Sequence, residues 1–259
     1  KHVAYGDEPH QFGELWLPKT KGPYPVVVLI HGGCWLAALP GVELMAYMAG
    51  DLRKRGNAVW NIEYRRLGDV GGGYPGTFED IANAIDHLQT LKKSVPLDLT
   101  NIVVVGHSAG GHLALWAAAR SRLPKNSPLR SEKPLPIKAV VTLAGIPDLA
   151  AYRARGDGAC GVPRTIDQLI AGNRSANPFL DTSPAALLPV RIPQVVISGA
   201  LDPIVPPMFG RDYAAKASAA GDAVRELTIK DAGHFELIDP RSRAFETIRA
   251  EIERLQKAR

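Results

Sequence analysis

Short apolar stretches alternate along this chain with segments whose apolar residues recur every three or four positions. Residues 24–30 are β-branched and apolar almost throughout, the pattern of a strand buried on both faces. Residues 12–17, 58–64, 101–105, 137–143, 195–198 and 225–229 read as further strands. Residues 42–55 read as a helix, and Phe78, Ile81, Ile85 and Leu88 mark an amphipathic helix over about 78–92. Residues 112–119 are so apolar that a helix there must be buried on most sides. Phe245, Ile248, Ile252 and Leu255 give a last helix one apolar face. The alternation predicts an α/β fold, a mostly parallel sheet with helices on both faces.

The rhythm breaks over residues 146–192, which are rich in Gly, Pro, Asn, Ser and Arg, with short helices expected near 164–171 and 183–188. An irregular insertion of that length in a compact fold is usually functional or mobile. We expect a single domain over residues 1–259, with 146–192 folded over its working site as a lid.

At 259 residues the chain is long enough to bury roughly three quarters of its unfolded surface, so neither metal nor disulfide is required for folding. The net charge of +5 is scattered, and its densest run, Arg53 to Arg55, falls at a helix end, where cations complement the dipole. No basic stripe or binding motif points to nucleic acid. No unbroken apolar run in the chain is long enough to span a bilayer, residues 26–30 included. The chain does not open on Met, the pattern left by a removed export signal or by trimming, so cytoplasmic and exported locations both stay open, as does the oligomeric state.

The strand at 101–105 runs into Gly106-His107-Ser108-Ala109-Gly110-Gly111 and then an apolar helix. This is the strand–turn–helix setting that a G-x-S-x-G nucleophile elbow requires. The strand at 24–30 ends in His31-Gly32-Gly33-Cys34-Trp35. Acyl transfer places negative charge on a carbonyl oxygen, and fixed N–H donors stabilise it. The N–H of Ala109 and one from Gly33 or Cys34 are the expected donors. His31 is expected to brace that turn, and Trp35 either to bind substrate or to pack.

A serine nucleophile needs a base, and a carboxylate to hold the base. His234, in a loop after the last strand, is the one histidine beyond the helix that follows Ser108. Asp202 follows the strand at 195–198, in a loop neighbouring that of His234; Asp148 is the rival and is expected to cap the start of the lid.

Together these motifs, with Gly199 to Asp202 and Gly233-His234, resemble those of α/β-hydrolase serine esterases. The chain is most similar to the feruloyl/acetyl-esterase-like and kynurenine-formamidase-like (arylformamidase) group, and also resembles the catalytic domain of prolyl-oligopeptidase-type enzymes. Lipases of the hormone-sensitive type usually carry a third Gly where this chain has Cys34, and an Asp where it has His107. The resemblance covers the chain from about Phe12 onward. It implies an α/β-hydrolase fold and hydrolysis of a small-molecule ester through an acyl-enzyme, without metal or organic cofactor. An amide substrate, or a silent binding protein on this scaffold, are the alternatives. Cys34 on the oxyanion loop and Cys160 in the expected lid are either bridged or two free thiols.

Overall fold

The computed structural model describes residues 1–155 and 158–258; residues 156 and 157, inside the expected lid, lie outside the described residues. One eight-stranded sheet runs through the molecule: β1 (His2–Ala4), β2 (Phe12–Trp16), β3 (Tyr24–Ile30), β4 (Ala58–Ile62), β5 (Leu97–His107), β6 (Ala139–Leu143), β7 (Gln194–Gly199) and β8 (Val224–Ile229). Its order is β1-β2-β4-β3-β5-β6-β7-β8. The pairings of β2 with β1 and β4 are antiparallel, and all others are parallel. This is the expected α/β-hydrolase arrangement.

The continuous apolar strands are explained by two cores, one on each face. On β3, Val26, Val28 and Ile30 join one cluster while Val27 and Leu29 join the other. On β5, Ile102 and Val104 alternate with Val103 and Val105 in the same way. The first cluster receives α2 (Gly76–Asp86), α3 (Leu88–Leu91), α4 (Ala109–Ala118) and α7 (Met208–Ala219). The second receives α1 (Ala46–Lys54) and α8 (Ala244–Lys257), the latter through the four residues read from its periodicity.

Several boundaries differ from the sequence reading. The helix expected at 42–55 begins as a 3-10 turn, Val42–Met45, and the one at 78–92 is interrupted at His87. Strand β1 and α7 carried no clear pattern: β1 is only three residues long, and α7 buries small residues, Gly210, Ala214 and Ala217, beside Phe209 and Tyr213.

Residues 146–192 hold α5 (Leu149–Arg155), α6 (Arg164–Ile170) and a 3-10 turn, Pro184–Leu187. Their apolar residues Ile146, Leu149, Tyr152, Ile166, Leu169 and Leu187 enter the first core. The segment is bonded to the body, with the Trp116 indole N–H donating to Asp181 O and the Tyr74 N–H to Leu169 O.

Candidate active site

Parallel register brings four loops to one edge of the sheet. Ile30 pairs with Gly106, His107 with Leu143, Leu143 with Ile197, and Gly199 with Ile229. The segments that follow β3, β5, β7 and β8 therefore emerge together, although 203 residues separate His31 from His234.

Ser108 is the turn between β5 and α4, with φ 56° and ψ −121°. A non-glycine residue held there costs on the order of 1–3 kcal/mol, a strain typical of functional sites. The glycines around it are required by close approach: a Cβ on Gly106 would overlap Gly110 O, and one on Gly110 would overlap the carbonyl oxygens of Ile30 and His31. Ala109 opens α4, so its N–H has no partner within the helix.

His234 and Asp202 are joined directly, His234 Nδ1 lying 2.7 Å from Asp202 Oδ2 with both side chains buried. The other carboxylate oxygen, Oδ1, accepts the N–H groups of Ile204 (2.8 Å) and Val205 (2.9 Å). Asp202 is thus fixed by its own loop and gives its second oxygen to the imidazole. Gly199 lets that loop meet the next one, since a Cβ there would overlap the carbonyl oxygens of Ala232 and Gly233.

Ser108 connects to this pair through its neighbour His107. The His107 ring lies 4.5 Å from that of His234, centroid to centroid, and its Nε2 is 3.0 Å from His234 O. Burial, and then the nearby His234, push the pKa of His107 down to about 3. A neutral ring that donates from Nε2 to a carbonyl is consistent with that environment. The rival Asp148 is engaged elsewhere: it accepts the Ala151 N–H at 3.0 Å, capping α5, and pairs with Lys216 at 2.7 Å.

The loop after β3 lies against the elbow, where a Cβ on Gly32 would come within 3.0 Å of Ser108 Cβ. Gly33, Cys34 and Trp35 follow in left-handed conformation, with φ of 95°, 51° and 57°. Among the described residues the N–H groups of Gly33 and Cys34 meet no acceptor, whereas that of Leu36 closes on Gly33 O at 2.8 Å. Trp35 is fully buried, its indole N–H donating to His112 Nδ1 at 3.2 Å. The structure thus places Trp35 in the core beneath the loop. His112 passes the contact on, its Nε2 lying 2.7 Å from Thr182 O in the 146–192 segment. Burial lowers the pKa of His112 to about 4.

Sequence reading placed His31 as a brace of this turn but missed its partners, Glu63 and Arg66. Both nitrogens of the buried His31 ring face acceptors: Gly32 O at 2.8 Å and Glu63 Oε1 at 2.8 Å. Glu63 also accepts the N–H groups of Val42 and Tyr64, each at 2.9 Å. Burial pushes the Glu63 carboxyl up, but the His31 bond and charge, the Tyr64 N–H and Arg66 outweigh it and bring the pKa down to about 2. Arg66 reaches over to donate to Leu39 O at 2.8 Å. The signal available was a carboxylate at the end of an otherwise buried strand, in Ile62-Glu63-Tyr64, but nothing local names its partner 32 residues away.

The cysteines are bridged. Cys34 of the loop is bonded to Cys160, their Cα atoms 5.3 Å apart and 126 residues apart in sequence.

The same architecture occurs in solved structures at low identity. Esterase B from Lactobacillus rhamnosis superimposes with a TM-score of 0.82 at 20% identity, covering 99% of this chain and 85% of that one. A truncated carbohydrate esterase from gut microbiota gives 0.81 at 19% identity, covering 99% and 95%. In sequence the chain is 28% identical to esterase LipC of Mycobacterium tuberculosis over 254 residues, spanning 92% of this chain and 60% of LipC's length. The elbow, the loop after β3 and the Asp202 loop all fall within residues 14–216, which match the BD-FAE family as one continuous stretch, and the chain belongs to that family.

Proposed function

We propose that the protein hydrolyses carboxylic esters, short-chain or aromatic in the acyl group, by a Ser108–His234–Asp202 triad. The observation that carries this reading is the buried 2.7 Å contact between His234 Nδ1 and Asp202 Oδ2 beside a serine on a left-handed elbow. That LipC, Esterase B and the gut carbohydrate esterase are all named esterases supports it.

Asp202 holds Nδ1, which turns Nε2 toward the nucleophile. Nε2 takes the Ser108 proton as Oγ attacks the acyl carbon. The oxyanion that forms is met by the N–H of Ala109 from one side and of Gly33 or Cys34 from the other, where dipole and position are fixed in advance. The imidazolium returns its proton to the leaving alcohol, and water releases the acyl group by the same steps in reverse order of roles. Residues 146–192 act as the wall above the site, and Trp35 supports the oxyanion loop from below.

The test is hydrolysis of p-nitrophenyl acetate by Ser108→Ala, for which kcat should fall about 10⁶-fold, as when other triads lose their serine. Activity within a few-fold of the parent would refute the assignment. A matched panel of esters and amides with the same acyl group should show turnover concentrated in the esters.

A further inference from the structure

The one covalent cross-link in the described residues is attached at the middle of the most constrained backbone in the site. Gly33, Cys34 and Trp35 are all left-handed, a conformation that only glycine adopts without steric cost. Each residue is held there differently. Gly33 has no side chain to object. Trp35 is clamped by complete burial and by its bond to His112. Cys34 is only partly buried, and its side chain is held by the sulfur of Cys160. The far end is anchored in turn. Cys160 lies in a tight turn closed by the Gly161 N–H donating to Gly158 O at 2.8 Å, next to the buried Val162 and the start of α6.

We propose that the Cys34–Cys160 disulfide is a positioning element of the reaction: it keeps residue 34 left-handed and so keeps the Gly33 and Cys34 N–H groups turned toward the oxyanion. The inference rests on the oxyanion reading given above. Cys160 touches no reacting atom in this scheme and acts through Cys34. Because the donors meet charge that develops only in the transition state, losing the bridge lowers kcat and leaves KM nearly unchanged. It also makes activity depend on redox state. Dithiothreitol cleaves the bond by giving two electrons and two protons, becoming its own cyclic disulfide and leaving thiols on Cys34 and Cys160.

The test compares four enzymes: the oxidised parent, the parent reduced with dithiothreitol, Cys160→Ser, and the double variant Cys34→Gly/Cys160→Ser. Each is assayed on p-nitrophenyl acetate and p-nitrophenyl butyrate, with circular dichroism and thermal melting as folding controls. Reduction and Cys160→Ser should each lower kcat about 10–100-fold, short of the full loss of a donor, with the same factor on both esters. The double variant should regain most of that loss, because glycine adopts φ near 51° freely. A bridge that merely stabilises the fold predicts no rescue, since both variants lack it equally. A bridge that merely builds a pocket wall predicts a KM effect that changes with acyl length. Either of those results overturns the proposal, as does unchanged kcat in the reduced parent. If Cys160→Ser fails to fold, the reduced parent and the double variant still decide it. Ser108-dependent hydrolysis by the oxidised parent is the control for the underlying reading: where it is present and rescue fails, only the positioning role is lost.

Discussion

Asp202 divides its two oxygens between tasks: Oδ1 takes two backbone N–H groups, and Oδ2 takes the imidazole. The carboxylate therefore cannot rotate without breaking its own loop, which is how a short side chain fixes the orientation and tautomer of a ring 32 residues away. Replacing it with Asn keeps the shape but presents the wrong hydrogen-bonding partner to Nδ1. Asp202→Asn should lower kcat about 10⁴-fold with an unchanged circular dichroism spectrum; a loss below tenfold would point to a different acid. At this scale the sequence was informative about where the proposed site residues fall in the fold. Ser108 lies in a strand–turn–helix, Asp202 and His234 follow strands, and their order is the one this fold demands. The buried partners Glu63, Arg66 and His112 were not legible. Their roles come from contacts such as Trp35 with His112, across 77 residues, that no local pattern encodes.

Between elements, the site depends on how closely α4 can approach β3. Gly110 leaves no room for a methyl group, because a Cβ there would overlap two backbone carbonyl oxygens, and backbone yields less readily than a side chain. Gly110→Ala should destabilise the fold by about 3 kcal/mol, lowering Tm by roughly 6–12 °C in a scanning melt. Strand and helix types were readable where the apolar pattern was strong, as in the continuous run of β3 and the periodic face of α8. They were unreadable where small side chains carried the packing, as on α7, or where three residues made the whole strand, as in β1. The course of residues 146–192 was equally hidden, because side chains of the body bonded to carbonyls of its irregular backbone, Trp116 to Asp181 O and His112 to Thr182 O, hold it there, not a repeating apolar face.

For the molecule as a whole, two fully buried histidines tie stability to pH. His107 and His112 have folded-state pKa values lowered to about 3 and about 4, against 6.5 when unfolded. Below pH 6.5 the unfolded chain therefore binds protons that the folded one does not, and stability falls as pH falls. Both rings contribute down to about pH 4, with a combined slope of at most about 2.7 kcal/mol per pH unit. Glu63, lowered from 4.5 to about 2, adds loss of the same sign between those values. Urea unfolding at pH 7 and pH 5 should show a clearly lower midpoint at pH 5; equal midpoints would mean that these rings are not buried in the neutral state. The bridge between Cys34 and Cys160 works in the same direction at every pH, contributing roughly 5 kcal/mol through the long loop it closes in the unfolded chain.

The proposed chemistry turns on one hydroxyl, that of Ser108, being activated at one edge of the sheet. The most direct measurement is reaction of the oxidised enzyme with a fluorophosphonate, followed by peptide mapping of the adduct. A single phosphonylated residue at Ser108, formed in step with loss of esterase activity, is the predicted result. Complete inactivation with the adduct on another residue, or full ester hydrolysis by protein phosphonylated at Ser108, would contradict it.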